Sequence, residues 1–87
     1  MDRQLMLDSY NNPDMLLLEE EWLDEAFVGA IDEGNGHIAI YDEEKVISLL
    51  SKNYGITMHE AVEYFDFNIA LAHVGEFTPK YISVWKD

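Results

Sequence analysis

Residues 26–41 read Ala26-Phe27-Val28-Gly29-Ala30-Ile31-Asp32-Glu33-Gly34-Asn35-Gly36-His37-Ile38-Ala39-Ile40-Tyr41. Two apolar runs flank a polar, glycine-rich break, which is the pattern of a β-hairpin. Asn-Gly dipeptides favour tight hairpin turns because both residues tolerate positive φ. Strands are therefore expected over 26–31 and 37–41. Alternation puts Ile38 and Ile40 on one face of the second strand and His37, Ala39 and Tyr41 on the other.

Outward from this hairpin the helix signals are local. Asp42 caps a helix whose first turn holds Glu43 and Glu44, where the macrodipole favours negative charge. Val46, Ile47, Leu49 and Leu50 form its apolar stripe, and Gly55 suits a left-handed closing position. Thr57-Met58-His59-Glu60 matches a capping box. A longer helix to about His73 follows, with Met58, Ala61, Val62, Phe65, Ile69 and Ala72 at helical spacing. Gly75 stops it, and Thr78-Pro79 opens a last strand over 81–85. On the other side of the hairpin, Asn12 and Pro13 read as the cap and first residue of a helix over 14–23, with a strand over 15–18 as the rival reading. Residues 1–12 carry no periodic signal and are read as a flexible lead-in. The expected fold is α+β, one domain over 1–87, in the order (α)ββααβ: a three-stranded antiparallel sheet with two helices on one face.

Charge is the second strong signal. The chain carries 18 acidic residues against five Lys and Arg, a net charge of −13. From Gln4 to Glu44 there are twelve acids and no Lys or Arg: Asp8, Asp14, Glu19, Glu20, Glu21, Asp24, Glu25, Asp32, Glu33, Asp42, Glu43 and Glu44. Residues 45–87 are nearly balanced, with five acids against four lysines. Such a field repels nucleic acid and membrane surfaces and attracts basic proteins. Soluble surfaces ordinarily intersperse both signs, so a solubilising role alone explains this window poorly. Residues 19–25 hold five acids in seven positions. On a helix that is one charge per about 2 Å of axis, near the roughly 1.7 Å of duplex DNA. The expected interface is therefore Glu19, Glu20, Glu21, Asp24, Glu25, Asp32, Glu33, Asp42, Glu43 and Glu44, with Trp22, inside the acid cluster, as its exposed aromatic anchor.

Other chemistries find less support. His59 and Glu63 have the i, i+4 spacing of metal ligands, but a third ligand is missing. Asp32-Glu33-Gly34-Asn35-Gly36 lacks the alternating oxygens of a calcium loop. The two adjacent helices resemble a helix-turn-helix in outline only, since Glu60, Glu63 and Asp66 would face phosphates. Asn68, on a mostly apolar helix, reads as a buried amide tied to a backbone group. No catalytic constellation, cofactor site or metal site is read. With no cysteine, no disulfide framework is possible. Apolar runs of about four residues are far short of the roughly 20 that span a bilayer. No secretory leader is read, and a cytoplasmic location is expected.

Thr57-Met58-His59-Glu60-Ala61-Val62-Glu63-Tyr64-Phe65-Asp66-Phe67-Asn68-Ile69, followed by Gly75-Glu76-Phe77-Thr78-Pro79, resembles a group of small acidic proteins encoded by phages and prophages. Ala26-Phe27-Val28-Gly29 and Tyr41-Asp42 match the strands that precede this helix in the group, and the resemblance covers about residues 23–85. The chain departs from the group's pattern at His59, where a glutamate is usual, and at Leu71, where a small residue is common. The group brings no activity with it. What the resemblance implies is a phage origin, and so a place in the cytoplasm of an infected bacterial host. Together with the charge, it leads to the expectation of a non-enzymatic inhibitor of a host defence or nucleic-acid-processing protein. Such an inhibitor, of the DNA-mimic or anti-CRISPR kind, would cover a basic nucleic-acid-binding groove. The alternatives are a binder or enzyme acting on a nucleotide messenger, and a virion assembly component.

Overall fold

The computed structural model describes residues 3–85. Helix α1 (Arg3–Ser9) leads into an irregular segment and a 3₁₀ turn (Glu21–Ala26). Strands β1 (Phe27–Asp32) and β2 (His37–Asp42) form the hairpin, followed by α2 (Glu43–Tyr54), α3 (Met58–Tyr64) with a π-helical continuation (Phe65–Ala70), and β3 (Lys80–Ile82). None of the described helices is long and apolar enough to cross a membrane.

The sheet is mixed. β1 and β2 pair antiparallel, but β3 lies parallel to β2, with Ile40 opposite Lys80 and Tyr41 opposite Tyr81. This corrects the expected all-antiparallel sheet. The chain leaves β2, runs through α2 and α3, and returns to the far edge, and a helical crossover is the connection that makes neighbouring strands parallel. β2 is consequently central and almost entirely buried: Ala39 and Tyr41 share one cluster with Val46, Leu49, Leu50, Ala61 and Phe65, which places α2 and α3 over that face. Rings run through the core from Tyr10 to Phe27 to Tyr41, then to Tyr81 and Phe65, with centroids 5.0–6.2 Å apart; all the contacts are edge-on except the tilted Tyr41–Tyr81 pair.

The hairpin has a bulge at Val28, because Phe27 pairs with Tyr41 while Gly29 pairs with Ile40. The extra residue turns Phe27 onto the Tyr41 face, which a regular register would not do. The connection is a four-residue loop, Glu33 to Gly36, closed by the Glu33 N–H on the Gly36 carbonyl at 2.8 Å. Positive φ falls on Gly34 (90°), whose N–H donates to Asp32 Oδ1, and not on Asn35. The hairpin is therefore as expected, but not its Asn-Gly turn.

The helix caps behave as local chemistry dictates. Asp42 accepts from the Glu44 and Lys45 N–H groups, Gly55 closes α2 at φ 61°, and Thr57 and Glu60 complete the capping box. The long second helix stops short of His73. After Tyr64 it widens into the π turn, and Asn68 is exposed there, its side chain donating to the Tyr64 carbonyl at 3.3 Å. The expected buried amide is thus a surface residue.

The N-terminal third departs most from expectation. The helix over 14–23 is absent. Asn12 Oδ1 accepts from the Asp14 N–H in a turn, and residues 15–18 belong to no helix and no strand. Leu18 is held from both sides, its N–H donating to the Tyr41 hydroxyl at 3.0 Å and its carbonyl accepting from Arg3. Instead the lead-in forms α1, which ends in a Schellman motif. Asn11 sits at φ 50°, the Asn11 N–H bonds to Asp8 and the Asn12 N–H to Leu7.

Candidate functional site

Of the expected interface residues, Glu19, Glu20, Glu21 and Glu25 are exposed around the 3₁₀ turn. Asp24 is not among them. It is 2% exposed and receives Arg3, whose Nε donates to Oδ2 at 2.8 Å and Nη2 to Oδ1 at 3.0 Å. The hydrogen bond to Asp24 raises the Arg3 pKa further above its ordinary value. Three of the six residues of the 3₁₀ turn are buried, Leu23, Asp24 and Ala26. With about three residues per turn Leu23 and Ala26 share one face, and Asp24 is buried on the next face, where Arg3 meets it.

Asp24's burial changes the charge arithmetic. Four outward acids remain among residues 19–25, and Glu19 and Glu20 precede the 3₁₀ turn, so the charge is sparser than the duplex-like density expected of a helix. Glu21 still feels the Arg3 charge, but the cluster has no ion pair of its own: Arg3 is engaged with Asp24, and no Lys or Arg forms an ion pair with Glu19, Glu20, Glu21 or Glu25 among the described residues.

The remaining acids form two groups. Phe27 lies opposite Tyr41, so the chain entering β1 and the chain leaving β2 share one end of the hairpin. That end holds Asp42 and the start of α2. The 3₁₀ turn, however, packs along α2 so that Trp22 meets Tyr54 at the helix's other end. This puts Glu19 and Glu20 beside Tyr54 and about 15 Å along the helix from Glu44. Asp32 and Glu33 sit at the opposite end of the hairpin, about 17 Å away along the strand. They are exposed, but they do not belong to the same patch. Asp42 and Asp32 each have an oxygen committed to a backbone N–H.

Trp22 is half-buried, with its ring edge-on to Tyr54 at a centroid distance of 5.4 Å. It does not stand out as the exposed anchor expected of it. Tyr54 in turn contacts Tyr64 at 5.3 Å, and hydrogen bonding with Tyr64 holds the Tyr54 phenol above its ordinary pKa. Both tyrosines are more than a third exposed.

These two rings stand at one end of a cleft that sequence reasoning missed. It measures about 400 Å³ and lies between the irregular segment Leu16–Glu20 and the π turn, with Leu23, Leu50, Asn68 and Ile69 among its lining residues. Its signal in the sequence was the pair Tyr54 and Tyr64, which aromatic content alone assigns to the core. Elsewhere, His59 Nε2 meets Glu63 Oε1 at 2.8 Å on an exposed helix face. No group of three potential metal ligands occurs among the described residues.

The chain matches no family model, no curated protein and no solved structure.

Proposed function

We propose that this protein is a non-enzymatic, phage-encoded inhibitor. It docks on a cationic groove of a host protein that handles nucleic acid, such as a restriction or CRISPR nuclease or a repair or transcription factor. Glu19, Glu20, Glu21 and Glu25 are the contact. The observation that carries this reading is the pairing of Arg3 with buried Asp24. It engages the cation nearest the acid cluster in sequence, so that Glu19, Glu20, Glu21 and Glu25 have no Lys or Arg ion pair among the described residues. The assignment to phage rests on the resemblance of residues 57–79.

The charge also weighs against a nucleotide messenger as ligand. The cleft beside Tyr54 and Tyr64 includes Glu19 and Glu20 in its lining and no Lys or Arg. An anionic ligand would meet two carboxylates there and no cationic side chain to offset them.

The test is capture of partners from host lysate on the tagged protein, eluted by salt and identified by mass spectrometry. The expected partner is a basic nucleic-acid-binding protein whose affinity falls about tenfold or more between about 50 and 200 mM salt. Charge reversal at Glu21 and Glu25 should abolish capture. Salt-insensitive binding, or binding unaffected by that reversal, would defeat the mechanism. A nucleotide that raises the melting temperature would turn the reading toward the messenger alternative.

A further inference from the structure

The cleft joins two kinds of surface. Its deep side includes Leu23 and Leu50, both buried, and its walls include Ile69 and the Leu16–Leu18 segment. Glu19 and Glu20 stand exposed at its edge. At about 400 Å³ it falls within the roughly 300–1,000 Å³ range of ligand-holding clefts. An apolar anion is repelled by this edge, and a neutral apolar group leaves the carboxylates unmatched. The complement is an apolar body beside a positive charge.

We propose that the cleft receives an aliphatic side chain of the partner protein, flanked in the partner's sequence by Lys or Arg that pair with Glu19 and Glu20. This rests on the docking function proposed above and deepens it. The acidic field steers the encounter, and the cleft supplies the desolvated anchor that a charged surface lacks. A nucleic-acid-binding groove provides the flanking cations, and an aliphatic residue between them selects among such grooves.

The probes are three acetylated, amidated pentapeptides, Lys-Leu-Lys-Leu-Lys, Lys-Ser-Lys-Ser-Lys and Glu-Leu-Glu-Leu-Glu, titrated into isotope-labelled protein and followed by amide NMR. The first is expected to give saturable shifts at Glu19, Glu20, Asn68, Ile69 and Ala72. The serine peptide should bind there at least about fivefold more weakly, and the glutamate peptide not at all. Ala72→Trp, which fills the cleft from an exposed position, should weaken the leucine peptide about fivefold and leave the serine peptide unchanged. A nitroxide on the leucine peptide should broaden the Leu16 and Ile69 amides of the unaltered protein, a readout independent of any variant's folding. Equal binding of the leucine and serine peptides, or broadening confined to residues away from the cleft, overturns the proposal. If that happens while reversal at Glu21 and Glu25 still abolishes partner capture, the cleft is refuted and the acidic docking surface stands.

Discussion

Arg3 and Asp24 form a two-pronged ion pair, Nε to Oδ2 at 2.8 Å and Nη2 to Oδ1 at 3.0 Å, that ties α1 to the 3₁₀ turn. The same guanidinium donates to the Leu18 carbonyl, so one side chain orders the whole approach to the acid cluster. Arg3→Ala strands a carboxylate that is 2% exposed, and the expected loss is about 3 kcal/mol or more. The double change Arg3→Met with Asp24→Leu should recover much of it, because no buried charge remains. Denaturant midpoints of the three proteins check this. An Arg3→Ala variant as stable as the parent would show the pair to be idle.

The net charge of −13 makes the folded state repel itself, and salt screens that repulsion. Raising sodium chloride from about 20 to 300 mM should lift the melting temperature by about 3–8 °C. Changing Glu19, Glu20 and Glu21 together to Gln should raise the low-salt melting temperature and shrink the salt increment. A flat or falling salt series would contradict this.

High pH should unfold the protein through its core phenols. Burial pushes Tyr81 from 10.0 up to about 12, and burial likewise raises Tyr41. A phenol with a raised folded pKa holds its proton more tightly in the folded state. Its contribution is whole below pH 10 and is lost as pH rises through about 12. The urea midpoint is therefore expected to fall across that window, and Tyr81→Phe should flatten the fall while changing little at neutral pH.

The caps give a control separate from binding. Thr57→Ala removes the capping box of α3 and should cost about 1 kcal/mol with no effect on partner capture. Gly55→Ala, at φ 61°, should cost about 1 kcal/mol. Thermal melts and salt-dependent capture, run on the same variants, separate the two effects.

The features legible in the sequence are those whose causes lie within a few residues. Asp42, Gly55 and the Thr57–Glu60 box mark helix ends because a cap bonds to a backbone group two to four positions away. The hairpin over 27–42 is legible for the same reason, since its two apolar runs are joined by a short glycine-rich break. Part of the sheet's direction was also there to be read: a strand, then two helices, then a strand is the order of a parallel crossover.

Residues 14–20 show the opposite case. Their local preference is helical, yet the Tyr41 hydroxyl and the Arg3 guanidinium claim the Leu18 peptide groups, and partners 23 and 15 residues away leave no local trace. The candidate site divides in the same way. That an uncompensated negative half exists follows from composition, because charge is carried by residue type wherever the chain goes. Which carboxylates face outward does not. Asp24 and Glu25 are neighbours of the same type, and only packing of the 3₁₀ turn against α2 and Arg3 sends one into the core and leaves the other in water.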